Sequence, residues 1–183
     1  MAKFLHIAQW NANGLVQHKD EVQLFLQQNK IDILLVSETH FTSKTYFRIP
    51  QYHTYFTNHP DGTAHAGTAI LVKQTIQHYE LSQYALDLLQ ATSICVRTFP
   101  FELTVTAVYS PPKYNLKKEQ YETFFGTLGP RFMAGGDFNS KHTAWGSRIT
   151  TTKGRELLSL MQQYNYSFLS TGRPTYWPSD PAK

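Results

Sequence analysis

The segment Ile31-Asp-Ile-Leu-Leu-Val-Ser37 constrains the fold of this 183-residue chain more than any other. It is almost wholly apolar and only one strand long, which suits a strand buried on both faces. Between Gln17 and Asn29, Val22, Phe25 and Leu26 fall at i, i+3 and i+4, the stripe of an amphipathic helix. Earlier still, Phe4-Leu-His-Ile-Ala-Gln-Trp10 reads as a strand entering a polar loop at Asn11-Ala-Asn-Gly14. Strand, helix and strand in such quick succession make a crossover unit, with both strands in one sheet and the helix on a face.

The texture then changes to short β-rich runs over 52–57, 68–73, 76–81, 91–98 and 103–109. Pro60-Asp-Gly62 and Pro100 punctuate them as turns. Ser110-Pro-Pro-Lys113 stops the last run, because proline cannot donate to a ladder. Helices are expected over 117–128 and 152–164, with strands over 131–135 and 166–170. No repeat, low-complexity tract or linker interrupts the chain, so 1–183 reads as one mixed α/β domain.

Hydrophobic residues make up 41% and charged residues 16%, which excludes a disordered chain, since such chains lack the apolar content to offset ordering entropy. No apolar run reaches the ~18 residues of a membrane helix, and no signal-peptide core follows Met1, so no membrane partner is expected. Cys95, the single cysteine, lies in an apolar run and reads as a buried thiol, which leaves no intrachain disulfide and no cysteine cluster for zinc. The net charge of +4 is uneven: residues 1–110 hold 7 Lys and Arg against 8 Asp and Glu, and residues 111–183 hold 10 against 5. Such an excess steers polyanions, although a solvated basic face explains it as readily.

Polar side chains gather where the expected strands end. Asn11 and Asn13 follow the first, Glu38 follows the second, Tyr109 closes a later one, and Asp137 and Asn139 follow Met133-Ala-Gly-Gly136. Sites in α/β sheets collect at such ends. Two carboxylates with amides and a phenol are oxygen-rich and sulfur-free, which suits a hard divalent ion, Mg²⁺ first and Mn²⁺ second. That donor set points to phosphate chemistry.

Gln9-Trp-Asn-Ala-Asn-Gly-Leu15, Ser37-Glu-Thr-His40, Ala107-Val-Tyr-Ser-Pro-Pro112 and Gly135-Gly-Asp-Phe-Asn139 occur in an order that resembles the endonuclease/exonuclease/phosphatase superfamily. The stretches 137–147, Gly154-Arg-Glu-Leu157 and Pro174-Thr-Tyr-Trp-Pro178 resemble, more narrowly, the endonuclease of non-LTR, jockey-like retrotransposons. The resemblance implies a four-layer sandwich of two mixed β-sheets flanked by helices. It also implies hydrolysis of one phosphodiester in double-stranded target DNA, leaving a 3′-hydroxyl that primes reverse transcription. Glu38 would be the principal metal ligand, with Asn11 near the ion. Asp137 would orient or deprotonate water, Asn139 would donate to the scissile phosphate, and Tyr109 would bond to it. Asn13, His40, Lys141, His142 and Arg148 would contact nucleic acid, with Lys153 beside them. The implied partner is a parent polyprotein with a reverse transcriptase, and the implied compartment is the nucleus.

Each residue also has a plainer role open to it. Asn11 and Asn13 suit a turn beside Gly14, Asp137 suits a turn cap, and Tyr109 suits an aromatic plug. His40 and the basic residues suit an ordinary solvated surface. Three departures from the family pattern stand out: Asn13 where repair enzymes usually carry aspartate, Pro112 where many members carry asparagine, and no histidine after His142. The last implies a C-terminally truncated domain, without its final strands and Ser-Asp-His segment, inactive or severely impaired in nicking and prone to aggregate. Two alternative functions follow: an abasic-site repair nuclease or phosphoesterase of the same superfamily, and a non-catalytic DNA-binding fragment.

Overall fold

Strand β1 (Ile7–Asn11), helix α1 (Lys19–Gln28) and strand β2 (Ile33–Ser37) form the expected crossover in a computed structural model that describes residues 4–170 and 172. β1 and β2 pair in parallel, with Asn11 opposite Ser37 at their carboxyl ends. All five residues of β2 are buried, as its apolar run requires. The segment Pro174–Pro178 lies outside the described residues.

The chain divides into two compact units, residues 1–111 with 126–138 and residues 112–125 with 139–183. The first holds both sheets. One runs in the order β1, β2, β4 (Thr68–Lys73), β3 (Tyr52–Thr57), with the last two antiparallel to their neighbours. The other runs β5 (His78–Glu80), β7 (Leu89–Arg97), β8 (Glu102–Tyr109), β9 (Phe132–Asp137), and β6 (Tyr84–Leu86) pairs with β7. β8 and β9 are parallel, so the fold is α+β, with two mixed sheets and three α-helices among the described residues.

Alternation along β2 explains the packing. Leu34 and Val36 face Val22 and Leu26 of α1, while Ile33 and Leu35 join Ile70, Val72, Ile94, Val96, Val105 and Ala107 between the sheets. Each of these buried Leu, Ile and Val side chains contributes roughly 1.5–3 kcal/mol over an exposed one. Toward the carboxyl end of β2 this filling gives way to hydroxyls. Ser37 Oγ donates to Val108 O at 2.8 Å, and Thr57 Oγ1 donates to Ala91 O at 3.0 Å, each bond joining one sheet to the other. Thr92 Oγ1 lies 2.8 Å from Thr68 Oγ1 and donates to Thr57 Oγ1 at 2.9 Å, completing a buried belt in which nearly every hydroxyl is partnered.

Three elements depart from expectation. The run 76–81 is a strand only over β5, because Ile76 N–H closes a turn onto Lys73 O, although Gln77 O and Leu81 N–H still bond to Arg97 N–H and Ser93 O. β6 escaped notice because it is three residues long and joins β7 through Asp87-Leu88, a turn without glycine or proline. Residues 166–170 form no strand: their alternating aromatics pack as rings, Tyr166 stacked on Tyr164 at 5.6 Å and Phe168 edge-on to Trp145 at 5.7 Å.

The second unit contains α2 (Lys118–Gly126) up to Phe125, and α3 (Thr152–Gln163). Thr151 caps α3 by accepting from Gly154 N–H at 3.1 Å, and Glu156 accepts from Lys118 N–H at 3.0 Å, tying α3 to the start of α2. Tyr121 is fully buried and shares a 2.7 Å hydrogen bond with Ser140. Among the described residues no helix is long and apolar enough to cross a membrane.

Candidate active site

β1, β2, β8 and β9 end together. Ser37 Oγ, which donates to Val108 O, also accepts from Asp137 N–H at 3.1 Å, so one hydroxyl ties the end of β2 to the ends of β8 and β9. Asn11 and Asp137 are the last residues of their strands rather than the first of the loops beyond, which fixes their backbones in the ladders.

Four expected residues meet here: Asn11, Glu38, Tyr109 and Asp137. The Asn11 amide is the centre, with Nδ2 donating to Glu38 Oε1 at 2.7 Å and to Asp137 Oδ2 at 3.0 Å. Its Oδ1 accepts from Asn13 N–H at 3.2 Å, which orients the amide and gives exposed Asn13 a local role. Two carboxylates drawn onto one amide repel each other, and a cation between them relieves that repulsion. The donors are oxygens of partly exposed side chains, the chemistry a hard divalent ion takes. Tyr109 is 7% exposed, and burial, reinforced by the Glu38 and Asp137 charges and by Glu38 as acceptor, pushes its phenol well above the usual tyrosine range. It therefore stays a neutral donor at physiological pH.

Glu38 and His40 adopt left-handed backbone conformations, with φ of 57° and 55°. Such strain persists only where surroundings over-determine it. Here Glu38 O accepts from Gly14 N–H at 2.8 Å, Thr39 N–H donates to Gly67 O at 3.3 Å, and His40 N–H donates to Ala66 O at 3.0 Å. The His40 ring lies 3.6 Å from Glu38 Oε2, beside the carboxylate.

Asn139 follows Asp137 by two residues and, with Lys141, His142 and Arg148, belongs to the second unit. Lys141 and Arg148 are exposed. His142 has a structural role as well, since its Nδ1 accepts from Ala144 N–H at 3.0 Å and caps the short 3-10 turn Thr143–Trp145. Lys153 is 2% exposed, which corrects its placement among surface cations.

Ser37 stands in the Ser37-Glu-Thr-His40 motif without a role of its own in the sequence reading, and its bridging of the strand ends is seen only in the structure. Replacing Ser37 with alanine leaves the Asp137 N–H without its partner, and the expected loss is about 1–3 kcal/mol. Urea unfolding of Ser37→Ala checks this, and a change under about 0.5 kcal/mol would contradict the bridging role.

A profile of the Endonuclease/Exonuclease/phosphatase family matches residues 8–183. The chain is 33% identical over 177 residues to the RNA-directed DNA polymerase from mobile element jockey of Drosophila melanogaster, covering 97% of this chain and 19% of that protein. It is 30% identical over 175 residues to the probable RNA-directed DNA polymerase from transposon X-element of the same fly, covering 95% and 19%. Thus the chain spans about a fifth of the length of these curated relatives. Among solved structures, the endonuclease domain of TRAS1, a telomere-specific non-LTR retrotransposon, superposes with a TM-score of 0.69 at 23% identity, over 87% of this chain and 71% of that one. The AP endonuclease LMAP from Leishmania major superposes with a TM-score of 0.64 at 13% identity, over 86% and 66%. At these identities the two structures establish the fold.

Proposed function

The chain belongs to the endonuclease/exonuclease/phosphatase family, and from that premise we propose that it is the DNA-nicking domain of a retrotransposon polyprotein. The observation that carries the reading is the Asn11 amide holding Glu38 and Asp137 together at the joined strand ends. Glu38 holds a divalent ion, Mg²⁺ by preference, with Asn11 beside it. When bound, the ion neutralises phosphate charge and polarises the bond to be broken. Asp137 accepts a proton from the attacking water, whose oxygen bonds to phosphorus as the bond to the 3′-oxygen breaks. The departing 3′-oxygen takes a proton from solvent, Asp137 returns its own to solvent, and the products are a 3′-hydroxyl and a 5′-phosphate. Tyr109 donates from its neutral phenol to charge developing on the phosphate, and Asn139 donates to the scissile phosphate. Asn13, His40, Lys141, His142 and Arg148 hold the duplex through its backbone, which sets position rather than sequence.

The relatives of about 30% identity are RNA-directed DNA polymerases, which supports a parent polyprotein in which the released 3′-hydroxyl primes synthesis. Chromosomal DNA as substrate assigns the nucleus.

The test is incubation of a longer polypeptide that includes residues 1–183 with supercoiled plasmid, an abasic duplex and a phosphoinositide, each with Mg²⁺ and with a chelator. Nicked circles from intact plasmid, abolished by the chelator, are the expected result. Cleavage of the abasic duplex alone identifies a repair nuclease, and phosphate release from the lipid alone identifies a phosphatase. Salt-sensitive DNA binding without cleavage identifies a non-catalytic fragment.

A further inference from the structure

The loop from β3 to β4 carries a second cluster of metal-binding side chains: one ligand atom from each of His59, Asp61 and His65 lies within 4.8 Å of the others. Pro60 and Asp61 make the turn, closed by Gly62 N–H donating to His59 O at 3.0 Å, and this folds the two histidines back toward each other. Their rings lie 4.2 Å apart between centroids. His59 Nδ1 is 3.0 Å from Asp61 Oδ1, and His65 Nε2 is 3.6 Å from Asp61 Oδ2, so each ring offers one nitrogen to the same carboxylate.

The opposite nitrogens face outer groups. His65 Nδ1 lies 2.6 Å from Thr63 Oγ1, while His59 Nε2 points toward Asp87 Oδ1 at 3.9 Å. A hydroxyl at hydrogen-bond distance from the outer nitrogen is what orients a histidine that binds a metal, and Thr63 supplies one to His65. The His59 side chain is 5% exposed, so burial holds its ring in place with Nδ1 against the Asp61 carboxylate. A nitrogen lone pair and a carboxylate oxygen at 3.0 Å repel unless a proton or a cation lies between them. Two imidazoles and one carboxylate suit an ion of the zinc class and are softer than the oxygen set around Glu38.

We propose that His59, Asp61 and His65 bind a structural divalent ion of the zinc class, separate from the ion at Glu38. The loop ends at Ala66 and Gly67, whose carbonyls accept from His40 and Thr39 N–H groups. An ion at the cluster therefore stiffens the segment that keeps Glu38 in its left-handed conformation. This holds whether or not the chain cuts DNA, because the ligands and their readout are independent of the phosphodiester reaction.

The test is titration of the full chain with Zn²⁺ in the presence of excess Mg²⁺, read by calorimetry, together with amide hydrogen exchange of Thr39 and His40. One Zn²⁺ per chain is expected, unaffected by Glu38→Ala and weakened about tenfold or more by His65→Ala. Slower exchange at both amides should accompany binding. Asp61→Asn, which keeps an acceptor for Thr63 N–H, removes the shared charge without disturbing the turn and should weaken binding similarly. Absence of Zn²⁺ binding to the wild type overturns the proposal, as does binding lost in Glu38→Ala but retained in His65→Ala and Asp61→Asn.

Discussion

Plasmid nicking by a polypeptide that includes residues 1–183 is expected to fall by roughly 10²- to 10⁴-fold when Asp137 becomes asparagine, the loss typical of a removed general base. Asparagine is nearly isosteric, and its Oδ1 can still accept from Asn11 Nδ2, which now bonds to Asp137 Oδ2 at 3.0 Å. The backbone bond from residue 137 to Ser37 Oγ is untouched by the change. What disappears is a negative charge and the capacity to take a proton from water. Without metal, that charge stands against Glu38 across a single amide, so its removal should leave the melting temperature unchanged or raise it. A purely structural Asp137 would show the opposite pattern, with stability lost and nicking kept. The two measurements together, single-turnover nicking and thermal melting, separate the roles.

The largest expected effect on folding is that of Gly136→Ala. A Cβ at Gly136 would stand 1.9 Å from Val108 O, a backbone atom of the strand with which Gly136 is in register. Neither strand can withdraw without breaking the β8–β9 ladder, which also carries Tyr109 opposite Asp137. The expected cost exceeds about 3 kcal/mol, a large share of the ~5–15 kcal/mol by which a domain is stable. The variant should collect in the insoluble fraction or lose its cooperative transition. Gly126, at the end of α2, supplies the control: nothing lies within 4 Å of its added Cβ, and alanine there should be neutral or stabilise by up to ~1 kcal/mol. Equal effects at the two glycines, measured by urea unfolding, would refute the close-approach argument.

Glu38 and Asp137 were legible in the sequence because each carboxylate terminates an apolar stretch, and charge at such a place has few structural reasons. The crossover was legible for a similar reason, since the α1 stripe and the β2 run have different periods. Ser37 was not: its importance lies in meeting Val108 and Asp137, 71 and 100 residues away, and no local pattern encodes that meeting. Pro60-Asp-Gly62 is the turn its residues indicate, but what the turn brings together is not legible there, because His65 returns to His59 only once the loop has closed. The alternation over 166–170 misled in the other direction, since aromatic side chains two apart fit a ring stack as well as a strand.

The hydroxyl belt between the sheets makes the sandwich mechanically uneven. Aliphatic contacts resist separation but hardly resist sliding, because dispersion has little directionality. Hydrogen bonds such as Ser37 to Val108 and Thr57 to Ala91 fail once distance or angle drifts, so they lock the sheets in shear. The domain is thus locked most closely at the end that carries Glu38 and Asp137, while farther along the strands Tyr55 Oη, 3.1 Å from His78 Nε2, adds a further bond between the sheets. Repacking among Ile33, Ile70, Val96 and Val105 should spend its distortion away from the carboxylates, leaving their separation nearly constant while the rest of the protein drifts.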